Sequence, residues 1–179
     1  DYKLAAGDVL NLTFRGLEQL DQSFKIDRQN NLTIPRLPPI QVNGLSIGQL
    51  EENILNFLKL DDASAIVNVS LDAARLIPVQ ISGNVDDPST VMIPAYTPLS
   101  RVIANVGGIS DTGSLRKITL SQVGVKTQIL DYYDFLQNPS SSNDPLIMDG
   151  ARIYVPNKGP TIAATGFINN PGIYELPND

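Results

Sequence analysis

Acid–base chemistry in this chain could come only from paired carboxylates: Glu51-Glu52, Asp61-Asp62, Asp86-Asp87, and Asp131 with Asp134. With no histidine there is no imidazole base, no Ser-His-Asp constellation and no ordinary imidazole metal site. With no cysteine there is no thiol nucleophile, zinc ribbon, iron–sulfur cluster or disulfide. Each carboxylate pair also has a plainer setting. Glu51-Glu52 lies on the polar face of a helix, Asp61-Asp62 beyond its end, Asp86-Asp87 in a turn, and Asp131 at a helix cap. The expectation is therefore a protein without a catalytic site and without a cofactor.

Binding chemistry is equally sparse. Asp144 and Asp149 flank a polar loop, Asn138 to Pro145, but the D-x-D-x-D spacing of a calcium loop is missing. Sugar recognition would use exposed aromatic platforms, and the possible ones are Tyr132, Tyr133 and Tyr154; apolar neighbours also suit these rings to a core or a subunit contact. No ligand-binding residue can be assigned from the sequence. The formal charge of -6, with no cluster of basic residues, argues against a nucleic-acid partner. No apolar run is long enough to span a membrane as a helix. Lack of cysteine fits the periplasm as well as the cytosol.

The elements that would hold these groups are short. Fifteen of the 19 acidic residues are Asp, and 13 Gly and 13 Pro add further turn chemistry. Three helices are expected. The first has a Ser46/Gln49 capping box and an apolar stripe of Ile47, Leu50, Ile54 and Phe57. In the second, Thr97 is the cap, Pro98 the first helical residue and Gly107-Gly108 the stop, with Leu99, Val102, Ile103 and Val106 facing inward. The third starts at an Asp131 cap and runs toward Pro139. Strands are expected at 9–14, 32–34, 65–71, 77–85, 118–121, 126–130 and 153–155, with hairpin turns at Asn30-Asn31 and Val123-Gly124. The class is α+β.

Laying the chain over itself at an offset of 83 residues reveals a repeat. Residues 79–88, VQISGNVDDP, lie over 162–171, IAATGFINNP, so that Gly83 meets Gly166, Pro88 meets Pro171, and Ile93-Pro94 then meets Leu176-Pro177. Both copies read as a strand broken by Gly, an Asx-Asx-Pro turn and a return strand. The first copy continues for some 75 residues, whereas the second ends at Asp179. With a start at Asp1 rather than Met, this gives the expectation of a piece of a longer, processed protein. The apolar hairpin of Ile162, Phe167, Ile168, Ile173, Tyr174 and Leu176 should dock on its own chain or on a neighbour, because a lone hairpin is marginal.

With these motifs in place, the chain resembles the outer-membrane polysaccharide export proteins of Gram-negative bacteria. The opening Ala6-Gly7-Asp8-Val9-Leu10, the segment Ile26 to Pro35, Val42-Asn43-Gly44-Leu45-Ser46 and the strand from Ala65 to Val69 resemble the export domain. From Leu76 onward, Val79 to Pro88, Val106-Gly107-Gly108-Ile109 and Leu146 to Pro156 resemble a soluble-ligand-binding β-grasp (SLBB) module, and a second begins near Thr161. Departures fall at turns: Ala5-Ala6-Gly7-Asp8 for Gly-Pro-Gly-Asp, Gly83-Asn84-Val85 for Gly-Glu-Val, and Gly150-Ala151 for Gly-Asp.

The resemblance implies a strand-rich export domain at 1–74, a β-grasp-like module at 75–159 and the opening hairpin of a second at 160–179. It further implies a non-catalytic periplasmic part of an oligomeric channel, attached to the outer membrane through segments outside this chain. The implied partners are further copies in a ring, an inner-membrane polysaccharide copolymerase or kinase, and a capsular or exopolysaccharide held by weak contacts. The alternative is a monomeric periplasmic saccharide-binding accessory module.

Overall fold

The computed structural model describes residues 2–16, 19–60, 63–138, 143–167 and 169–177. The chain divides into two units, residues 1–76 and 77–179.

In the first unit, alternation along β1 (Val9–Arg15) turns Leu10, Leu12 and Phe14 inward. β1 is the centre of an antiparallel sheet in the order β2-β1-β5, with β2 at Leu20–Lys25 and β5 at Ile66–Ala73. Val67 and Val69 of β5 complete the inner face, and α1 (Ile47–Leu58) packs against β5. The Ser46/Gln49 capping box is formed: Gln49 N–H donates to Ser46 Oγ at 3.2 Å and Ser46 N–H to Gln49 Oε1 at 2.9 Å. Leu50 and Ile54 are fully buried, each contributing roughly 2 kcal/mol of apolar transfer energy. Four residues beyond Ile54 the helix packs with Leu58, and Phe57, expected on the apolar stripe, is 40% exposed.

A second ladder, β3 (Asn31–Leu32) with β4 (Ile40–Gln41), extends this core through Leu32, Ile34, Ile40 and Val42. The turn expected at Asn30-Asn31 is governed from earlier in the chain. Asp27 Oδ1 accepts from the N–H groups of Gln29 and Asn31, both at 2.8 Å, and Asn30 sits at φ 63°.

The second unit is built on a five-stranded sheet in the order β10-β9-β12-β6-β7. Its strands are β6 (Leu76–Gly83), β7 (Thr90–Pro94), β9 (Ile118–Gln122), β10 (Val125–Leu130) and β12 (Arg152–Val155). The first and last strands in sequence, β6 and β12, lie side by side in parallel; β9 pairs antiparallel with β12, β10 pairs antiparallel with β9, and β7 lies beside β6. This is the β-grasp arrangement. α2 (Leu99–Asn105) covers one face, adding Leu99, Val102 and Ile103 to a core made with Ile77, Val79, Ile81, Leu120 and Ile153. β9 and β10 are joined by the expected two-residue turn, with Gly124 at φ 75°. α3 (Tyr132–Gln137) starts at Asp131, whose Oδ1 accepts from Tyr133 N–H at 2.9 Å.

The start of α2 differs from expectation. Thr97 belongs to β8 (Thr97–Pro98), which pairs with β11 (Leu146–Ile147), and its hydroxyl donates backward to Pro94 O at 2.6 Å. Pro98 takes the N-cap position without a side-chain acceptor. The cap is supplied from 44 residues away: Asp144 accepts from Ser100 N–H at 2.8 Å and from Ser100 Oγ at 2.7 Å, while Pro145 O accepts from Leu99 N–H. Asp144→Ala should therefore lower the stability of this unit by about 1 kcal/mol in urea titration. A midpoint equal to wild type would show that the cap carries no energy.

A hairpin of β13 (Thr161–Ala164) and β14 (Gly172–Glu175) closes the described chain. The whole is α+β and rich in strands, and among the described residues no helix is long and apolar enough to cross a membrane.

Candidate functional site

The carboxylates that could have formed a catalytic pair are dispersed into structural tasks. Glu51 accepts from Val69 N–H at 3.2 Å, fastening α1 to β5, while Glu52 points to solvent. Asp86 and Asp87 are exposed in the turn after β6, where their N–H groups donate to Gly108 O and Val106 O. Asp131 caps α3 and pairs with Arg116 at 2.6 Å, and Asp134 lies exposed in the first turn of that helix. Asp61-Asp62 lies outside the described residues. Asp144 is committed to α2, Asp149 is exposed, and no group of three potential metal ligands occurs among the described residues.

Two carboxylates that sequence reasoning passed over are the most buried. Asp8 has no exposed surface and accepts from Tyr2 OH at 2.6 Å, Ala5 N–H at 2.9 Å, Arg75 N–H at 2.7 Å and the Arg75 guanidinium at 3.3 Å. It joins the N-terminal segment to Arg75, two residues past the end of β5. Burial, reinforced by the Asp8 carboxylate, pushes the Tyr2 phenol well above its usual range.

Glu175 of β14 is 2% exposed and makes most of the polar contacts that dock the last hairpin. Its carboxylate accepts from Ser114 Oγ at 2.7 Å, Gly159 N–H at 2.8 Å and Leu115 N–H at 2.9 Å; its carbonyl accepts from Arg116 Nε at 2.7 Å. The docking expected on the chain's own surface is thus present, through the polar contacts of Glu175 and a ring contact of Tyr174 with Tyr133, centroids 6.4 Å apart. Ile162, Phe167, Ile173 and Leu176 remain exposed, and Ile168 lies outside the described residues.

Burial alone would raise the Glu175 pKa, yet the hydrogen bonds from Gly159, Ser114, Leu115 and Arg116 outweigh it and hold the carboxyl below the ordinary range. A depressed folded-state pKa means the native state binds fewer protons than the unfolded chain. Its stabilising contribution is complete above the unfolded value of about 4.3 and is lost as pH falls through the folded value. Amide exchange at Glu175 and Leu176 should therefore accelerate, relative to β12, below about pH 4. Glu175→Gln should already show loose amides at pH 7. Flat protection down the acid range would contradict this.

The aromatic candidates separate. Tyr132 packs on the core of the second unit and stacks with Phe135, ring centroids 5.2 Å apart. Tyr133 lies beneath the Arg116 guanidinium at 4.4 Å and accepts from Glu175 N–H through its hydroxyl, so it serves the hairpin dock. Tyr154 alone of the three stands on an open surface, half exposed on the side of β12 away from α2. In the first unit, Ala6, Gly7, Lys25, Ile26, Asp27 and Arg28 line an open depression of about 500 Å³, without converging polar groups of catalytic type.

Among the described residues, neither unit assembles these carboxylates into a reaction centre. The family described as polysaccharide biosynthesis/export protein matches residues 1–72, and the SLBB domain family matches 78–130. These two matches, in this order, support a polysaccharide export protein family with SLBB modules. Two Escherichia coli relatives, each described as polysialic acid transport protein KpsD, are 25% and 24% identical over 178 residues, or 98% of the chain. The chain spans about a third of the length of these relatives, 32% in each case. In the export domain, the Ala6-Gly7-Asp8 opening is where the sequence places the buried Asp8; in the SLBB domain, Gly83-Asn84 is where β6 meets β12.

Proposed function

We propose that this chain is the periplasmic part of an oligomeric outer-membrane channel that exports a capsular or exopolysaccharide and catalyses no reaction. The observation that carries the reading is the order of an export-family match and an SLBB match in this chain, which aligns over 98% of its length with a KpsD relative. Carboxylates engaged in caps and tethers fit a passive conduit. The net charge of -6 suits passage of an acidic polymer without tight retention. The partners in this reading are further copies of the protein, an inner-membrane copolymerase or kinase, and the polymer itself.

In the same reading the domains are 1–74, 75–159 and 160–179, the last being the opening hairpin of a second SLBB module. Gly83 and Gly166 take the same left-handed backbone, φ 89° and 102°, at the same place in the two copies. A monomeric saccharide-binding accessory role is the second reading, favoured by the open sheet face bearing Tyr154.

Deleting the gene should abolish surface polysaccharide, and the full-length protein should run as a ring-sized assembly in mild detergent. Unchanged surface polymer would refute the export reading. Restored export by a strictly monomeric protein would favour the accessory role.

A further inference from the structure

The five-stranded sheet of the SLBB unit is covered on one face by α2, and its other face is open. Across that face β12 sits between β9 and β6, so that Tyr154 is flanked by Thr119 and Ser82, and Arg152 by Ser121 and Gln80. The inward-facing Ile153 and Val155 are fully buried, which fixes Arg152 and Tyr154 on the outer side. The result is two rows of side chains: hydroxyl, aryl, hydroxyl in one, and hydroxyl, guanidinium, amide in the other. Residues two apart on a strand are separated by about 7 Å, so the aryl ring and the guanidinium lie roughly one sugar residue apart.

The strands of this sheet carry no negative charge. None of the residues of β6, β7, β9, β10 and β12 is Asp or Glu, although the chain carries 19 acidic residues; the charged residues of these strands are Lys126 and Arg152. A strand-wide absence of carboxylates on an acidic protein leaves this sheet with no negative side chain of its own to repel a polyanion. The arrangement of apolar groups also separates a saccharide from a protein partner. Protein interfaces bury an apolar centre within a polar rim. Here the order is reversed: exposed Ile129 and Met92 lie on the edge strands, Leu76 is the first residue of β6, and the middle is polar around one tyrosine ring.

We infer that this face is a contact surface for an acidic polysaccharide, with a pyranose ring lying on Tyr154, its carboxylate paired with Arg152, and its hydroxyls bonded to Thr119, Ser121, Gln80 and Ser82. The inference rests on the export reading and gives that reading a surface. One aryl platform and one cation make a weak site, as passage of a polymer requires.

The test is a backbone-amide NMR titration of the chain with a sialic acid hexamer, an oligogalacturonate hexamer and maltohexaose. Both acidic hexamers should shift signals of β6, β9 and β12, with dissociation constants on the order of millimolar. Arg152→Gln should weaken the acidic hexamers about tenfold and leave maltohexaose unchanged. Tyr154→Ala should weaken all three several-fold. Both side chains point away from the core, so the variants should keep the wild-type spectrum elsewhere. Absence of shifts on this face, an unchanged affinity in Arg152→Gln, or shifts that follow chain concentration rather than sugar would overturn the inference, the last by revealing a second copy as the occupant. In cells, wild-type export by full-length protein carrying both substitutions would overturn the inference and leave the export reading intact. Unaltered surface polymer in the deletion strain would instead remove the export reading.

Discussion

Asp8→Ala should unfold residues 1–76 at a denaturant concentration where residues 77–179 remain folded, with a loss of about 3–5 kcal/mol. The substitution leaves the Arg75 guanidinium, whose side chain is 12% exposed, facing a cavity where its carboxylate partner stood. It also strips acceptors from the half-buried Tyr2 hydroxyl and from the backbone N–H groups of Ala5 and Arg75. Unsatisfied buried donors cost more than the bonds were worth. Against a total domain stability of roughly 5–15 kcal/mol, such a loss removes the unit's margin at growth temperature. Arg75→Ala should cost less, because the Arg75 backbone N–H still donates to Asp8. Separate unfolding transitions followed by residue-resolved NMR in urea would report this. An Asp8→Ala protein whose first unit melts within about 2 °C of wild type would show that the four bonds carry little net energy.

The second large effect is expected at Gly83, and its repeat partner supplies the control. A methyl group on Gly83 would stand 2.1 Å from Val155 O, a distance no packing adjustment of side chains can relieve because the obstacle is backbone. The same carbonyl accepts from Asn84 N–H at 2.8 Å and from the Asn84 side-chain amide at 3.3 Å. Gly83→Ala must therefore push β12 away from β6 at the C-terminal end of the parallel pair, in addition to about 1–2 kcal/mol for a left-handed residue with a Cβ. Gly166 has the same backbone sign, φ 102°, but nothing within 4 Å of its Cβ position. Gly166→Ala should cost only the backbone part. Calorimetry should show a loss several-fold larger for Gly83→Ala, and equal losses would mean that the close approach to Val155 is not what requires glycine.

Local signals in the sequence were read correctly where the partners of a group are also local. The Ser46/Gln49 box, the Asp131 cap, the Val123-Gly124 turn and the Gly107-Gly108 stop all involve residues within five positions, and all are present. The N-terminus of α2 was misread for the converse reason. Thr97 and Pro98 form a good local cap pattern, yet Thr97 is drawn into pairing with β11 and Asp144 arrives from 44 residues away. The edge strand Leu20–Lys25 escaped notice because an edge exposed on both faces carries no alternation: its middle is Asp21, Gln22 and Ser23.

The same physics hid Asp8 and Glu175. A carboxylate in a turn or near a chain end reads as solvated, and only the tertiary fold brings Arg75 to one and Ser114 and Gly159 to the other. Tyr154 was named among three aromatic candidates, but nothing in its spacing separated it from Tyr132 and Tyr133. That distinction rests on which side of β12 faces α2, and on the neutral neighbours that sheet pairing places beside Arg152.

The parallel β6–β12 pair also has a mechanical meaning. The chain enters this sheet at Leu76, the start of β6, and leaves it at Val155, the end of β12, so the two points of attachment lie at opposite ends of neighbouring strands. Tension applied along the polypeptide would slide the strands past one another and load the ladder from Arg152↔Gln80 to Val155↔Gly83 all at once, instead of peeling it open one bond at a time. A sheet loaded at these two ends is in this way made stiff along the direction of pull.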